Sequence, residues 1–159
     1  MASKKASRSA TEGLVGLASK PDVAAIVEIN SETDFVARNE MFTTLVSNAA
    51  ESLILSGIDP SRTEIPLDEL KAAQLPNGVS LDDSVKELAG NVRENIQLRR
   101  GFVLTAVSGN NGLVGTYLHG TAGPGVGRIA AAVLLESTSE EFKNLEPAKL
   151  KMVQVRSLK

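Results

Sequence analysis

Oxygen-bearing side chains recur at every second position from Glu28 through Asn30 and Glu32 to Asp34, an alternation that in a calcium loop supplies ligands to a hard cation. Such a loop needs Gly at its sixth place and Glu at its twelfth, where this chain has Thr33 and Asn39. No metal is expected. The run reads instead as a polar strand end passing into an acidic helix start, which the helix dipole favours. The run from Gly120 to Gly127, Gly-Thr-Ala-Gly-Pro-Gly-Val-Gly, has the composition of a phosphate cradle, but a cradle must lead into a helix whose N–H groups face the phosphate. Arg128 and an apolar strand, Ile129 to Leu135, follow it. A flexible inter-strand loop with no direct nucleotide binding is predicted. Arg99, Arg100 and Arg128 suggest an anion site, yet neighbouring strand residues point to opposite faces, so a solvated face or salt bridges account for them. A hydrolase built on Glu32 and Asp34 would lack a nucleophile, because the chain has no Cys and a single His, His119.

The informative stretch runs from Glu28 to Phe42, with Thr33-Asp34-Phe35-Val36 at its centre. Phe35 and Phe42 are seven apart and would lie within about 20° of each other on one continuous helix, which makes Phe35 a candidate core residue. The alternative is a helix end that projects an apolar wedge and a carboxylate at a partner. His119, at a strand end beside the glycine-rich loop, is either a hydrogen-bonding structural residue or a contact.

The elements that hold this stretch follow from apolar spacing. Leu14 to Leu17 and Val23 to Ile29 read as strands of a hairpin that turns at Pro21-Asp22. Asp34 to Gly57 reads as one long helix on the spacing of Phe42, Leu45, Val46, Ala49, Ala50, Leu53 and Ile54, with Ser31 and Asp34 as a near capping box. Residues 58–79, with Pro60, Pro66, Pro76 and Gly78, read as a surface excursion holding a short helix from Leu67 to Ala73. Ser80 then caps a helix with Leu81, Val85, Leu88 and Val92 on one side. Three antiparallel strands follow, over 96–107, 113–119 and 126–136, and beyond Ser137 Pro147 interrupts what would be one helix. This is an α+β pattern, antiparallel strands packed with helices, with a break near Ser108 to Asn111. The expected division is a basic N-terminal tail or helix remnant over 1–10, one module over 11–108 and a second over 109–159.

Composition narrows the function classes. The 159 residues are 42% apolar and carry 17 Lys+Arg against 19 Asp+Glu, a balance that gives no general electrostatic pull toward nucleic acid or lipid. No apolar run reaches the roughly 18 residues of a membrane span, and aromatic residues are only 3%, so an exposed Phe would stand out. A protein that works by contact is expected. The first ten residues hold Lys4, Lys5 and Arg8 among Ser and Ala with no secretory apolar core, consistent with a transit remnant or the end of an upstream helix.

The stretch Asn30-Ser-Glu-Thr-Asp-Phe-Val-Ala-Arg-Asn39 resembles the signature of elongation factor Ts, in which a Thr-Asp-Phe-Val turn follows a strand. Further segments fall in the family's order: Lys4-Lys5, Glu12-Gly-Leu-Val15, Glu94-Asn-Ile-Gln-Leu-Arg-Arg100, Tyr117-Leu-His119 and Gly127-Arg-Ile-Ala130. The likeness covers residue 4 to about 135. It implies a two-subdomain core with an incomplete second subdomain, lacking the family's N-terminal helical domain and helical hairpin: a truncated core. Arg93 stands where the family commonly has Gly. The form of the signature and the insertion at 58–79 are similar to plant mitochondrial members, which implies a mitochondrial location, although the chain shows no presequence.

The resemblance also implies a guanine nucleotide exchange factor for the GTPase elongation factor Tu, with no cofactor and no chemical step of its own. Thr33, Asp34, Phe35 and Val36 would form a wedge that enters an apolar slot beside the GTPase's magnesium and loosens GDP. Thr33 and Ser31 would cap the helix, Val36 and Phe42 would hold its base, and Arg38, Asn39 and His119 are further candidate contacts. The rival reading is a noncatalytic RNA- or ribosome-associated module using the basic N-terminus and Arg99/Arg100, whose affinity would fall steeply with salt.

Overall fold

A two-residue turn at Pro21-Asp22 folds β1 (Glu12–Lys20) onto β2 (Val23–Ser31), and the pairing runs unbroken from Glu12 opposite Ser31 to Lys20 opposite Val23. The computed structural model describes residues 9–56, 63–107 and 110–144. On β2 the side chains of Ala25, Val27, Ile29 and Ser31 are all buried, the alternation expected of a strand with one face on the core.

The helix expected from Asp34 to Gly57 is two helices. α1 (Asp34–Ala37) is a single turn, and α2 (Glu40–Leu55) restarts after Arg38 and Asn39. Asn39 takes extended backbone angles (φ −71°, ψ 135°), and its Oδ1 accepts a 2.8 Å hydrogen bond from the Met41 N–H. An Asn side chain that satisfies a backbone donor this way competes with helix continuation. The break invalidates the seven-residue spacing argument: Phe42 is fully buried and Phe35 is 81% exposed. The capping box is also corrected. Thr33 is the N-cap of α1, while the buried Ser31 donates its hydroxyl to the Thr33 carbonyl at 2.9 Å.

Helix α2 lies across β1 and β2 and sends Phe42, Leu45, Val46, Ala49, Ala50 and Leu53 into the core. Gly16 permits this approach, since a Cβ there would collide with the Val46 carbonyl oxygen and come within 3.1 Å of the Ala50 Cβ.

Residues 63–79 are not merely a surface excursion. β3 (Glu64–Ile65) pairs with β4 (Gln97–Thr105), and Ile65, Leu70 and Leu75 join the core. Leu70, on α3 (Leu67–Ala72), rests on Gly101 of β4, where a Cβ would lie 2.8 Å from Leu70 Cδ1. These three apolar residues are too widely spaced to declare a period. Residues 57–62 lie outside the described residues. In α4 (Leu81–Val92) the Ser80 hydroxyl accepts from the Asp83 N–H at 3.1 Å, and Leu81, Val85 and Leu88 are buried, as the spacing predicts.

The three final strands do not form one consecutive sheet. β4 pairs with β2, so the larger sheet runs β3-β4-β2-β1 and ends on a short strand beside β1. The predicted strand over 126–136 is divided at Arg128 into β6 (Val126–Gly127), which pairs with β1, and β7 (Ile129–Ser137). β7 pairs only with β5 (Asn111–His119) among the described residues, as a separate two-stranded sheet. A short 3-10 turn, Glu140–Asn144, ends the described chain; the expected helix broken at Pro147 and most of the 1–10 tail lie outside the described residues. The architecture is α+β with antiparallel sheets.

Candidate functional site

The turn from β2 into α1 carries the signature. Thr33 leaves the strand in extended conformation (φ −125°, ψ 155°), and its hydroxyl accepts from the Val36 N–H at 3.4 Å. Val36 and Ala37 are buried and pin the underside of α1 to the core. Phe35 points the other way and is the most exposed large apolar residue among the described ones. Isolated exposed apolar side chains need no explanation on a protein surface, but a Phe ring held outward on a one-turn helix offers a partner a large apolar area at little rotamer cost.

Asp34 stands beside Phe35. Its Oδ2 accepts from Arg38 Nη2 at 3.1 Å, an ion pair across one helical turn with side-chain exposures of 42% and 71%. An exposed pair of this kind contributes at most about 1 kcal/mol, so a partner can separate it at small cost.

The turn is tied to the loop after α4. Glu94 Oε1 accepts from the Thr33 hydroxyl at 2.6 Å, and Glu94 Oε2 accepts from the Thr33 N–H at 3.1 Å. In the reverse direction, Glu32 Oε1 accepts from the Asn95 N–H at 2.6 Å. Arg93 makes this possible by taking left-handed backbone angles (φ 59°, ψ 26°) at the end of α4, turning the chain toward Thr33.

The structure therefore groups Thr33, Asp34, Phe35, Val36 and Arg38 on one turn. Asn39 serves as the cap of α2, which gives its side chain a structural task. His119 belongs elsewhere: it ends β5, stacks on Tyr117 with ring centroids 6.3 Å apart, and has Nδ1 3.3 Å from the Tyr117 hydroxyl.

The alternating oxygen-bearing residues make separate contacts, although Glu28 and Asn30 share one face of β2. Glu28 faces Arg100 at 2.7 Å, Asn30 donates to the Glu12 carbonyl, Glu32 faces the Asn95 N–H and Asp34 faces Arg38. Two of the three arginines are engaged, Arg100 with Glu28 and over the Phe102 ring at 5.8 Å, and Arg128 at 4.0 Å from Glu12. The glycine-rich loop leads into strands and is fastened rather than flexible, because the Leu17 N–H donates to the Gly125 carbonyl at 2.7 Å and Ser47 donates to the Pro124 carbonyl.

Sequence reading missed Glu94. One signal was present: a carboxylate just past a helix C-terminus opposes the dipole, so its placement there needs another reason.

The chain matches the family model "Elongation factor TS" over residues 32–155. It is 38% identical over 157 residues to "Elongation factor Ts, mitochondrial" of Ostreococcus tauri, covering 90% of this chain and 46% of that protein. It is 41% identical over 140 residues to elongation factor Ts of Rhizobium meliloti (strain 1021), covering 88% and 43%. Against "Elongation factor Ts, mitochondrial" of Oryza sativa subsp. indica the identity is 39% over 147 residues, covering 86% and 37%. The chain thus spans less than half the length of these curated relatives. Both the turn that presents Phe35 and the Glu94 loop that grips it fall within the matched span, and the chain belongs to the elongation factor Ts family.

Proposed function

We propose that this chain is a guanine nucleotide exchange factor for the translation GTPase elongation factor Tu, promoting GDP release during polypeptide elongation. The observation that carries the reading is the outward ring of Phe35 beside Asp34, on a turn whose Val36 and Ala37 are buried. Phe35 enters an apolar slot of the GTPase next to its magnesium, and Asp34 brings a negative charge to the same place. Elements that hold the ion are displaced, the phosphates lose their counter-charge, and GDP leaves.

Exchange of this kind requires only differential binding. The factor must prefer the nucleotide-free GTPase, and linkage makes GDP weaken the factor by the same ratio as the factor weakens GDP. A thousandfold faster release needs about 4 kcal/mol, which a buried aromatic anchor at an interface supplies together with local electrostatics. No bond is made or broken by this chain, and it binds no nucleotide itself. A mitochondrial location is supported by the Ostreococcus tauri and Oryza sativa relatives, both of them named as mitochondrial.

The test loads elongation factor Tu with a fluorescent GDP and follows its release on adding the wild-type chain or Phe35→Ala. Accelerated release by the wild type, lost in the variant, is expected. Equal rates with both proteins would overturn the wedge, and no acceleration by the wild type would overturn exchange activity for this chain.

A further inference from the structure

We infer that Glu94 is the positioning residue for the Asp34–Phe35 wedge. The inference rests on the exchange reading above and adds a residue sixty-one positions from Thr33 in the sequence.

Helix α1 is one turn long, too short to be stable by itself, and Phe35 is 81% exposed, so little packing of its own fixes its direction. The aim of the ring must therefore come from the two ends of the turn. At the core side Val36 and Ala37 are buried. At the strand side a single residue, Thr33, decides where the helix begins, and Glu94 holds it twice through charge-assisted bonds of 2.6 and 3.1 Å.

The bond to the hydroxyl does more than fasten. A threonine hydroxyl has one proton. By drawing that proton to Glu94 Oε1, the carboxylate leaves the Thr33 oxygen free to accept from the Val36 N–H, which is the capping contact. Loss of the carboxylate lets the hydroxyl rotate and frees the first turn. The reciprocal bond from the Asn95 N–H to Glu32 keeps the two loops in register.

Glu94→Gln is the informative substitution, because the amide retains one acceptor and presents a donor where the second Thr33 bond was. Release of fluorescent GDP from elongation factor Tu is measured against factor concentration for wild type, Glu94→Gln, Phe35→Ala and the double variant, with Thr33→Val and Thr33→Ser alongside and a thermal melt of each. The maximal release rate should fall roughly tenfold to a hundredfold in Glu94→Gln. It should fall similarly in Thr33→Val and recover in Thr33→Ser, and Glu94→Gln should have no further effect once Phe35 is alanine. A smaller folded fraction would instead raise the half-saturating concentration and leave the maximal rate unchanged.

An equal fall in the Phe35→Ala background, or a change in half-saturation alone, would show that Glu94 acts elsewhere. If Phe35→Ala slows release and Glu94→Gln does not, positioning by Glu94 is wrong and the wedge stands. If Phe35→Ala releases GDP at the wild-type rate, the wedge is wrong and the role of Glu94 falls with it.

Discussion

Replacing Arg93 by Gly should stabilise the protein. Arg93 is the one non-glycine residue with positive φ among the described residues, at φ 59° and ψ 26°, where it closes α4. A side chain in the left-handed region costs about 1–2 kcal/mol, and glycine removes that cost while losing about 0.5–1 kcal/mol more backbone freedom on folding. A cation near a helix C-terminus contributes some tenths of a kcal/mol, and this is forfeited too. The net gain is on the order of 0.5 kcal/mol, a rise of roughly 1–2 °C in Tm for a chain of this size. Arg93→Ala is the necessary control, since it removes the same charge and keeps the Cβ. Urea denaturation with an unchanged m-value should rank the proteins Arg93→Gly, wild type, Arg93→Ala. If Arg93→Gly unfolds no later than Arg93→Ala, the left-handed strain assigned to this position does not exist.

Four substitutions probe the frame. Gly90 sits inside α4 with open space where a Cβ would go, so Gly90→Ala should raise stability by about 0.5–1 kcal/mol, read from the urea midpoint. Gly16→Ala should cost about 1–3 kcal/mol by forcing α2 away from β1 at Val46, visible as a lower melting temperature. Phe42→Ala should cost about 3–5 kcal/mol, whereas Phe35→Ala, at an exposed position, should stay within about 0.5 kcal/mol of wild type. Paired melts of these last two variants check the contrast in burial directly.

The hairpin and α4 were legible because each declares itself locally: an alternating run about a Pro-Asp turn, and a 4-3-4 stripe behind a Ser cap. The break after Ala37 was hidden by the same logic, since the apolar spacing runs past it and Asn39 looks like an ordinary polar helix residue until its side chain is seen capping Met41. That one misreading left the orientation of Phe35 open. The pairing of β4 with β2, and the burial of Ile65, Leu70 and Leu75, depend on contacts between distant segments that no local period encodes. Thr33 to Val36 were proposed from the motif, and the structure puts them on one turn. Glu94 was not assigned a role, because its one local sign, a carboxylate past a helix C-terminus, does not say which residue sixty-one positions away it holds.

The two-residue interruption between α1 and α2 also bears on how such a protein changes over generations. Because Phe35 and Asp34 are separated from the packed helix by Arg38 and Asn39, replacements at the tip would, on the proposed exchange reading, change the contact with the GTPase without disturbing what the interior encloses. Selection would then retune that contact through a handful of positions, while the mutational tolerance of the scaffold beneath stays as it was.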